Sequence, residues 1–296
     1  MQKSVEDIFD VEPFKALRHL FNIYEIEIVS KNEYVVPGSE TAFGTESVSH
    51  GYSFYYNCDL EKAEQYVKTI LPSEDELDGA IVIIIANIGE HGGITYHFTP
   101  YTPSDYGAGM SVAIIGKSDE SANFKHLIQH ECGHAIGKLA DEYYYDGTAY
   151  EYVLTSLTNY QNNYGWYRNV SVTSDLTQVP WKDFIGDSRY ASEEIGAYEG
   201  AYEYAYGIWR PTSNSMMREE NMCSIFNAPS RALIYYRLNK LAFGEEWEYD
   251  YEKFVEFDKP NWGISFKAPA RSSKVQKTAA SPTAPYHGPA PVVHLR

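Results

Sequence analysis

The chain has 296 residues, 44% hydrophobic and 22% charged, enough for one large domain or two small ones with a real core. Lys and Arg number 24 against 41 Asp and Glu, a net charge of -17, which opposes binding to nucleic-acid phosphates or anionic membranes and suits a soluble protein outside the cytoplasm. No window approaches the roughly 18 uncharged apolar residues of a transmembrane helix.

The opening MQKSVED lacks the apolar core of a signal peptide and reads as the middle of an amphipathic helix, so the chain is either cytosolic or a truncated or processed form. Pro13 can open a helix running to about Asn22. Tyr24, Ile26 and Ile28 alternate with Glu25 and Glu27, the pattern of a half-buried strand. Asp59 can cap a helix through Leu71, which Pro72 ends. AIVIIIA (80–86) is a short apolar run that fits a strand buried on both faces. ITYHF (94–98) is more polar and suits a sheet edge, and SVAII (111–115) is a further strand. Ser118 or Asp119 can cap the next helix, which carries Phe124, Leu127 and Ile128 into His130. This alternation of helix and strand predicts an α/β layer up to about residue 145.

Beyond it the character changes. Of 27 tyrosines, 13 lie between Tyr143 and Tyr206, among Asn, Ser, Thr and Gly with weak periodicity, which predicts long loops and short elements. Pro229 opens a helix over 230–243 that Gly244 stops, and FVEF (254–257) reads as a strand. From Ala268 the Pro-, Ala-, Ser- and Lys-rich tail predicts an extended or disordered segment. The expected organisation is an N-terminal catalytic subdomain over 1–145, a C-terminal subdomain over 146–267, and a tail over 268–296. The three cysteines, Cys58, Cys132 and Cys223, are too few for a disulfide framework.

The chemistry concentrates in HECGHAIGKLADEY (130–143). On a helix, positions i and i+4 share a face about 5–6 Å apart, so His130 and His134 point the same way and can meet zinc at the required distance of about 2.0–2.1 Å. Glu131 stands about 100° round the helix, free to take a proton from a metal-held water without being a ligand. A catalytic zinc needs a third protein ligand and one open position. Asp141, Glu142 and Glu199 are the candidates. Asp141 is favoured because Gly137 can break the helix and let the chain return. His126, a turn earlier, lies too far along a straight helix to join the site.

HECGHAIGKLADEY resembles the motif of the bacterial IgA-peptidase family of zinc metallopeptidases. FKALRHLFNIYEIEIVS (14–30), TAFGT (41–45), IVIIIANIGEHGG (81–93) and AYEGAYEYAYGIWRPTSNSMMREENMCSIFNAPSR (197–231) are similar to further parts of it, over roughly residues 10 to 270. The resemblance implies a metzincin-like α/β fold: a twisted mixed sheet, an active-site helix and a loop-rich C-terminal subdomain. It also implies one catalytic Zn2+ and a secreted or cell-envelope location. A metzincin reads HExxHxxGxxH; here the last position is Ala140, and Asp141 lies one residue later. Ser215-Met216-Met217 would supply the methionine turn beneath the metal. Lys138 stands where the family often has glycine. Arg218 and Tyr143 are weaker candidates for holding an oxyanion, with Arg210 and Asn214 beside them. Strand 94–98 would pair with an extended substrate.

The expected function is zinc-dependent endopeptidase action on extended protein substrates, host immunoglobulin A or other extracellular proteins among them, with no nucleic-acid partner. The alternatives are a binding module with a vestigial HExxH site, which the intact Glu131 disfavours, and hydrolysis of a non-peptide amide, which the edge strand disfavours.

Overall fold

The computed structural model describes residues 2–50, 53–88, 92–101, 104–117, 121–218, 223–266, 284–285 and 292–293. In chain order these form helix α1 (Gln2–Ile8), strands β1 (Glu46–His50) and β2 (Ser53–Asn57), helices α2 (Leu60–Lys68) and α3 (Glu74–Asp78), and strands β3 (Ile81–Ala86), β4 (Gly93–Phe98) and β5 (Ser111–Gly116). Helices α4 (Ser121–Gly137) and α5 (Glu151–Tyr164), strands β6 (Tyr198–Ala201) and β7 (Tyr204–Arg210), helices α6 (Ala228–Phe243) and α7 (Tyr251–Phe257), and strands β8 (Ala284–Pro285) and β9 (Val292–Val293) follow. No helix among the described residues is long and apolar enough to cross a membrane.

The main sheet is mixed, in the order β3-β5-β4-β9. β3 runs parallel to β5, β4 antiparallel to β5, and β9 parallel to β4. β5 is buried throughout, whereas most of β3 is only half-buried. The apolar run 80–86 therefore marks an outer strand, and the less apolar SVAII holds the centre. The expected edge at 94–98 is also revised. Val292 and Val293 pair with His97 and Phe98, and the Thr99 N–H donates to the Val293 carbonyl (2.9 Å). Every residue of β4 after Gly93 is buried.

Three further expectations change. Residues 13–22 hold only turns and a short 3-10 segment (Arg18–Leu20). Phe14 and Leu17 are pressed into the core, and so short a segment has little helical stability of its own against such packing. Residues 24–28 carry no strand pairing; alternation makes a strand only where a neighbour supplies the ladder. Residues 254–257 belong to α7, whose first turn is capped by the Asp250 carboxylate accepting from the Lys253 N–H (3.0 Å). A four-residue apolar run fits either period. The proposed caps Ser118 and Asp119, and most of the tail after Ala268, lie outside the described residues.

The site is carried by α4, which packs on the sheet against β4 and β5, with α1 and α6 along its other sides. Its buried face meets Ile115, Met216, Met217, Phe226 and Ile234. α6 is fastened by charge. Arg231 makes a paired contact with Asp258 (2.8 and 2.7 Å) and reaches Glu193 (2.7 Å), all three fully or almost fully buried. Removing one member of such a cluster leaves uncompensated buried charge. Arg231→Ala is therefore expected to cost about 3–5 kcal/mol of stability, read by denaturant titration.

Candidate metal centre

Two consecutive turns of α4 place His130 and His134 side by side, their rings 4.8 Å apart between centroids. Each ring is set by a backbone carbonyl. The His130 Nδ1–H donates to Met216 (3.1 Å) and the His134 Nδ1–H to Leu139 (2.7 Å). A carbonyl only accepts, so both Nδ1 atoms carry the hydrogen, and in the neutral rings both Nε2 atoms present lone pairs. Those Nε2 atoms lie 3.1 Å from each other, and each is 3.2 Å from Asp141 Oδ1. Asp141 Oδ1 is buried and makes no hydrogen bond.

Three electron-pair donors thus converge with no proton between them in the neutral state. Facing lone pairs repel, and a cation among them turns the repulsion into coordination. Among the described residues this is the group of His, Cys, Asp or Glu side chains that fits a metal, all its ligand atoms falling within 4.8 Å. The donor set of two imidazoles and one carboxylate suits a divalent transition metal.

The way Asp141 returns differs from the expected one. Gly137 stays helical. The left-handed residue is Lys138, at φ 51°. A Cβ on Gly137 would lie 2.8 Å from Ile234 Cγ1 and 2.9 Å from Leu139 Cγ, so that glycine is needed for close packing. Lys138 is held in its unusual conformation by its buried Nζ, which donates to the Gly109 carbonyl and the Ser111 hydroxyl (2.6 Å each). Burial, and then the charge of Arg237, pull its pKa well down. The turn it makes delivers the Leu139 carbonyl to His134 and the Asp141 carboxylate to both rings.

The other acidic candidates go elsewhere. Glu142 is fully buried, accepting from Ser215 Oγ (2.6 Å), Asn227 Nδ2 (3.0 Å) and Asn169 Nδ2 (3.0 Å). It ties the end of α4 to the Ser215 turn and to the cap of α6. Glu199 is exposed and accepts from the Gly207 N–H (3.1 Å) across the β6–β7 hairpin. His126 is half-buried and outside the group.

Both methionines of the turn are fully buried. Met216 contributes its carbonyl to His130. Met217 contributes its sulfur: a Cβ on Gly133 would lie 2.5 Å from that atom. The turn is also bound to the ligand segment, because the Glu142 N–H donates to the Met217 carbonyl (2.8 Å). Tyr143 is half-buried with its ring edge-on to Tyr145. Cys132, between the ligands in sequence, faces the core on the far side of α4 and is completely buried.

Glu131 is buried against β4. It accepts from Thr95 Oγ1 (2.6 Å), and a Cβ on Gly93 would lie 2.5 Å from its Oε1. Burial raises its pKa, while the two histidines and Thr95 restrain the rise. Sequence reasoning missed Gly93 and Thr95, although the two share one face of a strand in GITYHF. It also missed Glu203 at the tip of the β6–β7 hairpin. Tyr202 and Glu203 both have positive φ (52° and 74°), and their N–H groups donate to the Asp141 and Tyr143 carbonyls (3.0 and 3.2 Å). Burial, and then the charge of Asp141, push the Glu203 carboxyl up to about 8.

A helix bearing two imidazoles and a carboxyl group, with an aspartate returned by a tight turn, has the make-up of a metal-dependent hydrolase. The family described as IgA Peptidase M64 matches over residues 1–191. The chain belongs to that peptidase family. No curated protein matches the chain.

Proposed function

We propose that the chain is a zinc-dependent endopeptidase in which His130, His134 and Asp141 hold the metal and Glu131 is the general base. The reading rests on one observation above the others: both Nδ1–H groups are spent on backbone carbonyls, so with the rings neutral the two Nε2 lone pairs and the Asp141 carboxylate face one another in a buried cluster. Zinc held there supplies Lewis acidity, which acidifies water and polarises a peptide carbonyl. Glu131 takes the proton of the attacking water and passes it to the leaving amine. Thr95 holds the carboxylate in place, and burial raises its basicity. Extracellular proteins, with immunoglobulin A as the substrate the family description names, are the proposed targets.

The test is direct. Purified protein loaded with zinc should hold about one ion per chain and cut a proteome-derived peptide library, with cleavage abolished by a chelator and restored by zinc. A protein that binds zinc and cuts no peptide would leave a binding module as the better reading.

The same geometry sets a pH dependence. Burial lowers the pKa of His134, but the charge of the Asp141 carboxylate, 3.2 Å from its Nε2, outweighs it, and the net shift is upward. In the metal-free protein His134 therefore keeps its proton to a higher pH than the usual histidine value of about 6.5. Metal must displace that proton, so zinc affinity is expected to fall as pH drops through this range, about tenfold per unit for each proton displaced. The sign reverses for metal-free stability. A raised histidine contributes stability below its unfolded pKa and loses it as pH rises through the folded one. Competition with a chromophoric chelator between about pH 5.5 and 8 measures the first effect; an affinity independent of pH would contradict it.

A further inference from the structure

Two arginines on segments that adjoin the candidate centre have no carboxylate partner among the described residues. Arg210, at the end of β7, is 5% exposed. Its Nη1 donates to the Glu199 carbonyl (2.8 Å) and the Gly200 carbonyl, and its Nε–H is buried without an acceptor. Arg218 is half-buried and donates to the Ser213 carbonyl. Both guanidiniums gather at the ring of Tyr144, 5.6 and 5.8 Å from its centroid. Gly200 lets them do so, because a side chain there would overlap that ring. Among the described residues, no Asp or Glu lies within ion-pair distance of either arginine. Glu142 acts on Arg210 only through its charge, since its oxygens are already taken by Ser215, Asn169 and Asn227.

Such a pair is costly in isolation. Burial, and then the charge of Arg218, pull the pKa of Arg210 down to about 10. In a chain of net charge -17, carboxylates are plentiful, yet none of the described ones pairs with either arginine. Tyrosine faces offset part of the repulsion; Tyr198 also lies under Arg210, at 6.0 Å. The location gives the pair a use. Arg218 directly follows Met217, and Tyr144 comes two residues after Glu142, so both flank the Glu142–Met217 hydrogen bond that joins the ligand segment to the methionine turn. Tyr144 is 41% exposed, so the site opens to solvent.

We propose that Arg210 and Arg218, gathered at Tyr144, bind a carboxylate of the substrate next to the bond to be cut. This rests on the peptidase reading and deepens it, since it selects acidic peptides. The carboxylate is either an Asp or Glu side chain or the α-carboxylate of a chain end. The repulsive field of an acidic protein would otherwise disfavour such substrates, and planar guanidinium donors match a carboxylate.

The test takes a peptide cut by the zinc-loaded protein and substitutes Glu or Gln at each position flanking the cleavage point, each peptide made as a free acid and as a C-terminal amide. At one position, or at the chain end, the carboxylate form is expected to be favoured about tenfold in kcat/KM, as suits one charge-assisted contact. A dependence on Glu identifies a side chain; a dependence on the free acid identifies a chain end. Arg218→Ala should bring the ratio near one, Arg218→Lys should keep part of it, and Arg218→Glu should reverse it in favour of Lys at that position. A merely structural role would not move this ratio. Equal cleavage of every pair by the unaltered protein, or a ratio that survives Arg218→Ala, would overturn the assignment. If the zinc-loaded protein cuts nothing, the peptidase reading fails by itself. Fluorescein-labelled hexapeptide pools with Glu or Gln fixed then decide by fluorescence polarisation on the Glu131→Gln protein. Tighter binding of the Glu pool that is lost in Arg218→Ala supports the site; equal or absent binding overturns it.

Discussion

Changing Glu131 to glutamine is expected to lower peptide turnover about 10²–10⁴-fold, the usual cost of losing a general base, with metal content and fold intact. The amide has the size and shape of the carboxylate. Its oxygen can still accept from Thr95 Oγ1, which lies 2.6 Å from Glu131 Oε2. The pocket left by Gly93 still accommodates the group. What the amide lacks is basicity, so it cannot take the proton of the attacking water. Metal analysis, circular dichroism and turnover on the same sample separate these effects. Turnover within a few-fold of the unaltered protein would remove Glu131 from its assigned role.

The second large effect concerns the third ligand. Asp141→Ala is expected to lose most zinc affinity, whereas Glu142→Gln and Glu199→Ala keep it. Asp141 Oδ1 is 3.2 Å from both imidazole Nε2 atoms, and its carboxylate would reduce the charge of a zinc site from +2 to +1. Burial would raise its pKa, but the two histidines hold it far below the usual carboxylate range, so it is charged at any working pH. Glu142 is adjacent in sequence but points into a cage of Ser215, Asn169 and Asn227. Its replacement should lower thermal stability by loosening the methionine turn. Glu199 lies on the hairpin surface. Isothermal titration with zinc on the three variants measures the contrast, and equal losses would mean that the segment is held by its packing and not by one ligand.

The α4 motif was legible because helical spacing alone brings His130 and His134 together, and their neighbour Glu131 follows from the same geometry. Asp141 was legible as a donor, but the route of its return was not. Gly137 looked like the breaker by conformational preference. The structure places the left-handed turn on Lys138, and partners distant in sequence, Gly109, Ser111 and Tyr167, hold it there. α5 was hidden by its composition. Val153, Leu157, Tyr160 and Tyr164 form its inner stripe, and tyrosine is apolar enough to bury yet polar enough to blur the period. β9 was invisible for another reason: two residues pairing with a strand nearly two hundred positions earlier leave no local signal.

Cys132 gives the metal helix a further property. One face of α4 carries the imidazoles, and the other seals a thiol whose pKa burial raises, with the neighbouring Glu131 adding to the shift. In the closed molecule an alkylating reagent can neither reach that sulfur nor find it as thiolate. Cys223, half-exposed, offers no such protection, while Cys58 is also buried, its thiol pushed up to about 12. Modification of Cys132 therefore requires α4 to lift from its bed. Its labelling rate, resolved by peptide mass spectrometry, becomes a clock for that local opening, and a ligand that clamps His130 and His134 from the opposite face should slow it.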